Sequence, residues 1–185
     1  MGMSAEDAAR GLFTVLATGD AALAAAAVHE DFTNREAVVS PEACSIPGPA
    51  GALASGAWLR SAFADLSFPV TDLVRDGDRV WIRLHMKGRH TGPFIRYRDG
   101  ELDQVIPPTG AEIDSEQVHV LHLRDGKVVR HEAVRDDVTL LGQLGLLPPA
   151  PTLRLIDDWR TTGRAAHAAA TVAEAATRAA ATART

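Results

Sequence analysis

The sequence has a single cysteine, Cys44, so no internal disulfide is available, and that suits a reducing cytoplasm. Its surroundings, PEACSIPG, hold neither a histidine nor a second cysteine, and the thiol reads as incidental rather than nucleophilic. Dense Lys/Arg runs are missing and the net charge is −5, which argues against a nucleic-acid partner and for small-molecule or protein partners. No apolar run is long enough to span a bilayer, and residues 1–20 lack a charged start followed by an apolar block, so a cytoplasmic protein without membrane span or export signal is expected. HxH and HExxH spacings, a Gly-rich phosphate loop and a GxSxG elbow are also missing, and neither metal nor cofactor is expected. Proton transfer by side chains on a small molecule survives this elimination.

The 185 residues, 46% of them hydrophobic, suffice for one domain with a substantial core. Ala5–Thr18 repeats apolar residues at helical spacing between Ser4, a plausible cap, and Gly19, a stop. Asp20 opens a second, alanine-rich helix to about Val28. His29–Asn34 reads as a polar-aromatic loop in which Asp31 and Asn34 suit turns, and 35–51, rich in Pro, Gly and Ser, as a long loop of the kind used for lids or left disordered. A third helix is expected over about Gly51–Leu66, with Leu59, Ala62, Phe63 and Leu66 on one stripe.

After Ser67 the period changes to two. Pro69–Arg75 reads as a strand, and Arg79–Arg89 as another with Val80, Ile82, Leu84 and Met86 toward the core. Continuing that alternation places His90 on the apolar side. Trp81, Arg83 and His85 fall on the outer face, where a homodimer or higher oligomer is expected to form. A hairpin is expected at Asp99-Gly100 within the irregular stretch 91–110. Strands Ile113–Arg124 and Lys127–Arg135 are joined by Asp125-Gly126, a strong hairpin signal. If those two residues form the turn, opposed residue numbers sum to 251, which sets His119 across from Glu132 and Ser115 across from Asp136. A carboxylate facing an imidazole suits acid–base work and equally a cross-strand ion pair. Glu132 and Asp136 lie on the order of 13 Å apart along an extended strand, too far to share a proton.

The stretch His131–Gly145 runs from this last strand into a short helix, with Asp136 and Asp137 at the junction. An acid there can cap the helix or serve as a proton-transfer group at a cavity edge. One Asp can cap while its neighbour points inward. Helices followed by a bent, mostly antiparallel sheet give an α+β layout with a pocket between the layers. Residues 1–149 are read as the domain and 150–185 as an Ala-rich helical extension, including a short helix over 152–160.

Four segments, HEDFTN at 29–34, HTGPF at 90–94, PPTG at 107–110 and DGKVVRHEAVRDDVTLLGQLG at 125–145, together resemble the SnoaL-like polyketide cyclase family of the nuclear-transport-factor-2-like superfamily. That resemblance implies a cone of three N-terminal helices on a curved sheet, enclosing a ligand. It also implies cofactor-independent ring closure by intramolecular aldol chemistry, with Asp136 as the acid/base and His119 stabilising the enolate oxygen. His90 matches the family's HTG histidine. Where the family has Trp this chain has Glu132, and Arg35 stands where a histidine is common, which suggests a more polar cavity. Candidate substrate contacts are His90, Asn34, Glu132, Trp58, Phe63 and Phe32, though Phe63 suits core packing as well. Alternatives are epoxide or ester hydrolysis with Asp136 or Glu132 activating a water, and a non-catalytic small-molecule binder.

Overall fold

Helix α1 (Ala5–Thr18) forms because both ends are capped and one side is apolar. Ser4 accepts the Asp7 N–H at 3.0 Å, and Glu6 and Asp7 place negative charge in the first turn. Gly19 ends the helix at φ 76°, returning its N–H to the Val15 carbonyl. Ala8, Leu12, Val15 and Leu16 form the buried stripe. Asp20 caps α2 (Ala21–Ala27) through the Leu23 N–H. Helix α3 (Pro49–Ala62) crosses α1 closely because Gly56 has no side chain: a Cβ there would lie 2.9 Å from the Leu16 carbonyl oxygen. Beside it, Arg60 donates to that same carbonyl at 2.6 Å.

A computed structural model describes residues 3–147, 158–164 and 166–167. Met1–Leu146 forms one compact unit and Leu147–Thr185 a second. In the second, residues 158–161 are helical; most of the extension expected over 150–185, including 152–157 of its short helix, lies outside the described residues.

The sheet has six strands. Strand β4 (Arg79–His90) is its axis, flanked on one edge by β7 (Glu112–Arg124); on the other edge β3 (Val70–Asp76) pairs with its first half and β2 (Phe63–Ser67) with its end. Beyond β7 lie β8 (Lys127–Arg135) and β1 (Val28–Asn34), which runs parallel to β8. Burial along β4 alternates residue by residue, with Val80, Ile82 and Leu84 fully inside. The sheet curls over α1 and α3, making the expected α+β cone. A two-stranded ribbon, β5 (Phe94–Arg98) and β6 (Glu101–Ile106), turns at Asp99-Gly100, and α4 (Asp137–Gln143) follows β8.

Two expected segments differ. The polar stretch 29–34 belongs to a strand, not a loop: Val28 and Phe32 pack inward while its backbone pairs with β8. The third helix stops at Ala62, and Phe63–Ser67 is strand β2, paired with the end of β4. The long loop holds two short 3₁₀ turns, 37–39 and 42–45, and its last three residues already belong to α3.

On the outer face, Arg83 pairs with Glu116, and His85 and Lys87 with Asp114. Trp81 and Val134 remain exposed among them. No helix among the described residues is long and apolar enough to cross a membrane.

Candidate active site

The β7–β8 hairpin starts as its turn dictates and then departs from it. Asp125 and Gly126 both take positive φ, 53° and 73°, and Arg124 faces Lys127 and Leu123 faces Val128. The register then shifts by one, so that His122 faces Arg130 and His119 faces Ala133. This bulge turns β8 over beyond Val128. The expected pairing of His119 with Glu132 is therefore corrected: Glu132 lies opposite Val120 and pairs with Arg35 and Arg130 instead. His131 takes the inward position.

His119 and His131 are both buried and their rings stack 5.0 Å apart. His119 Nδ1 lies 2.7 Å from His131 Nε2, and His131 Nδ1 lies 3.0 Å from Asn34 Oδ1. The tautomers follow from one end of this chain. Asn34 Oδ1 also accepts the Glu36 N–H at 3.0 Å, which fixes it as the oxygen. His131 Nδ1 therefore carries a hydrogen. Burial, with Arg135 nearby, lowers the His131 pKa to about 3, so the ring is neutral and its Nε2 is a lone pair. That lone pair accepts the Nδ1–H of His119. Burial, then His131, then Arg135 hold His119 well below the ordinary histidine value, leaving Nε2 as its free lone pair.

Nε2 lies 3.0 Å from Gln117 Oε1. Two lone pairs meet there while His119 is neutral. Reversing the amide, whose other end touches only Met86 Sδ at 3.7 Å, presents the NH₂ instead. The unreversed amide suits a protonated ring. Gln117 can thus satisfy His119 before and after it gains a proton.

These groups line a cavity between helices and sheet, with about 920 Å³ free of protein atoms, its open mouth included. Its walls are largely apolar: Phe13, Leu16, Trp58, Leu59, Phe68, Met86, Phe94, Leu140 and Leu141. Phe13 meets His119 edge-on at 4.7 Å between ring centres. Arg135 lies between two carboxylates of the wall, 3.3 Å from Glu36 and 3.5 Å from Asp137. Arg96 enters the wall from the β5–β6 ribbon. Among the described residues no three His, Cys, Asp or Glu side chains converge as a donor set for a metal ion.

Of the residues singled out from the sequence, His119, Asn34 and Trp58 line this cavity. The others do not. Asp136 is the cap of α4: its carboxylate accepts the Thr139 N–H at 2.9 Å and the Thr139 hydroxyl at 2.6 Å, and those bonds hold it below the usual carboxylate range. Asp136, expected as the acid/base, is not among the residues that line the cavity, and the carboxylate in the wall at this junction is that of Asp137. Phe32 and Phe63 are fully buried core side chains. His90 is buried against Phe63 and Thr109, with Nδ1 accepting the Thr109 N–H. Glu132 faces away, so the more polar cavity expected from it does not arise. His131, Gln117, Glu36, Arg135 and Asp137 were not foreseen in the wall. The bulge hides the first and sets Arg135 and Asp137, Glu36 sits in a turn without periodicity, and Gln117 shares the strand face of His119, so alternation alone could have found it.

A curled sheet closed by helices over an apolar cavity with a buried imidazole pair defines an α+β cone of the enclosed, ligand-binding kind. The sequence model of the SnoaL-like polyketide cyclase family matches residues 6–144. The chain belongs to that family and is an enzyme of its cyclase type. It is 27% identical over 136 residues to the aklanonic acid methyl ester cyclase DnrD of Streptomyces peucetius, covering 72% of this chain and 81% of that one. It is 28% identical to the aklanonic acid methyl ester cyclase AcmA of Streptomyces galilaeus, covering 64% and 74%. Among solved structures, TsrD from Streptomyces laurentii superposes with a TM-score of 0.62 at 24% identity, over 77% of this chain and 95% of that one. Wild-type IdmH from Streptomyces antibioticus gives 0.59 at 27% identity, over 76% and 98%.

Proposed function

We propose that the protein catalyses cofactor-independent ring closure of a polyketide-type carbonyl compound by an intramolecular aldol step, with His119 Nε2 as the proton-transfer atom. The observation that carries this reading is the chain Asn34–His131–His119–Gln117 in the wall of a cavity lined largely by apolar and aromatic side chains, in which His119 Nε2 is the one ring nitrogen not used between the two imidazoles or by Asn34. A carbon between two carbonyl groups gives its proton to Nε2, leaving an enolate. The new imidazolium donates Nδ1–H to His131 and Nε2–H to the Gln117 carbonyl or to the enolate oxygen. The low-dielectric cavity favours this ion pair over separated charges. The enolate carbon then attacks the acceptor carbonyl, and His119 returns the proton to the alkoxide, so protons balance over the cycle.

Asp136 has a different part in this reading. It holds the start of α4, which brings Asp137, Leu140 and Leu141 to the cavity, and does not touch the substrate. The similarity to the two aklanonic acid methyl ester cyclases makes that compound the first substrate to assay. Formation of its ring-closed aldol product supports the proposal; no product from it, from smaller β-dicarbonyl esters or from analogues carrying a free carboxylate moves the assignment to hydrolysis or to binding alone.

The proposed partner beyond substrate is a second copy across the outer sheet face around Trp81, within the cytoplasm. Light scattering at micromolar concentration is expected to show a dimer, and a monomer rejects it.

A further inference from the structure

Among the described residues, the polar side chains of the cavity wall other than Arg96 have side-chain or backbone partners. Asn34 bonds His131 and the Glu36 N–H, and the Ser40 and Ser55 hydroxyls donate to the carbonyls of Ala37 and Gly51. Arg135 is neutralised by Glu36 and Asp137. Arg96 lines the same wall, is partly buried, and has no acid within ion-pair distance among the described residues. Its position in the ribbon explains why. It shares a strand face with Phe94, which packs against Trp58 at 5.3 Å, and its cross-strand neighbour is Gln104, not an acid. Arg98, two residues on, is paired with Asp103.

A partly buried cation without a counter-charge costs free energy unless something supplies one. A guanidinium presents its N–H groups as a planar fork that matches a carboxylate. The rings of Trp58 and Phe94 beside it suit a flat aromatic body. We propose that Arg96 is an oxyanion-binding side chain, and that the ligand is an aromatic ring system carrying a free carboxylate at the end nearest the β5–β6 ribbon. This rests on the cavity being the substrate site, and it separates this chain from relatives named for a methyl ester.

Calorimetric titration of the full chain with 9,10-anthraquinone-2-carboxylic acid and with its methyl ester tests this. The acid is expected to bind about 10- to 100-fold more tightly than the ester, the range for a hydrogen bond to a charged group. Arg96→Gln brings the two affinities together, Arg96→Lys restores part of the preference, and Arg98→Gln leaves it unchanged. A melting curve for Arg96→Gln matching wild type confirms that the variant is folded. Equal affinities in wild type, or a preference that persists in Arg96→Gln, overturn the assignment while leaving the His119 reading intact. Binding of neither compound overturns the aromatic carboxylate as ligand class.

Discussion

His119 Nδ1 and His131 Nε2 stand 2.7 Å apart inside the cone, with their rings inclined by only 24°. Neighbouring histidines are ordinarily a pH-sensitive pair. Here Asn34 sets the direction of the hydrogens and burial keeps both rings neutral, so the pair acts as a fixed relay whose remaining lone pair, at His119 Nε2, faces Gln117.

Stability should therefore fall in acid. Both imidazoles have folded pKa values below the ordinary 6.5, about 3 for His131. The unfolded chain takes up these protons first, so the stabilisation is complete above about pH 6.5 and is lost as pH falls toward the folded values. Each histidine contributes up to about 1.4 kcal/mol per pH unit across that window. Urea unfolding between pH 4 and 8 checks it. Stability that is level or rises from pH 6.5 down to 5 contradicts two neutral imidazoles.

Asn34→Asp keeps an oxygen for the Glu36 N–H and for His131 Nδ1–H but adds a negative charge. An anion at hydrogen-bond distance favours imidazolium. The apparent pKa of the histidine pair is expected to rise by at least about one unit, read from the imidazole resonances by NMR. Asn34→Leu removes the acceptor, leaving His131 Nδ1–H unpaired; melting temperature should drop without that rise.

Asp136→Ala removes the acceptor of both Thr139 bonds. Loss of an N-cap destabilises the start of the helix, visible as a lower urea midpoint. Asp136→Asn retains an acceptor oxygen and should lose less. Equal losses in the two variants would mean that the charge, not the cap, holds α4.

The parts of this fold legible in the sequence are those governed by local rules. The bounds of α1 follow from Ser4 and Gly19, the buried face of β4 from strict alternation, and the hairpin turns from Asp-Gly pairs. Strand β1 escapes such rules because only Val28 and Phe32 of its seven residues are buried and its partner β8 lies a hundred residues away. Strand β2 reads from sequence as part of the preceding helix because Phe63 and Leu66 continue its apolar stripe. For the site, His119 was legible from its strand face, whereas His131 was not. One extra residue between Val128 and Arg130 exchanges Glu132 for His131 on the inner face, and neither neighbour carries a turn residue to announce it. At the 136–137 junction, spacing allowed one Asp to cap and the other to face inward, but which does which depends on how β8 enters α4.

Proton transfer by His119 Nε2 is read out by deuterium incorporation from heavy water. The substrates are aromatic β-dicarbonyl methyl esters, compared for wild type, His119→Asn and Asp136→Asn. Asparagine at 119 can still donate toward His131 but lacks Nε2. Uptake is expected with wild type, with a loss of about 10²- to 10⁴-fold in His119→Asn and near-wild-type uptake in Asp136→Asn. Uptake that survives in His119→Asn and disappears in Asp136→Asn would contradict proton transfer by His119, returning the base to the helix cap and reducing the imidazole pair to a packed core.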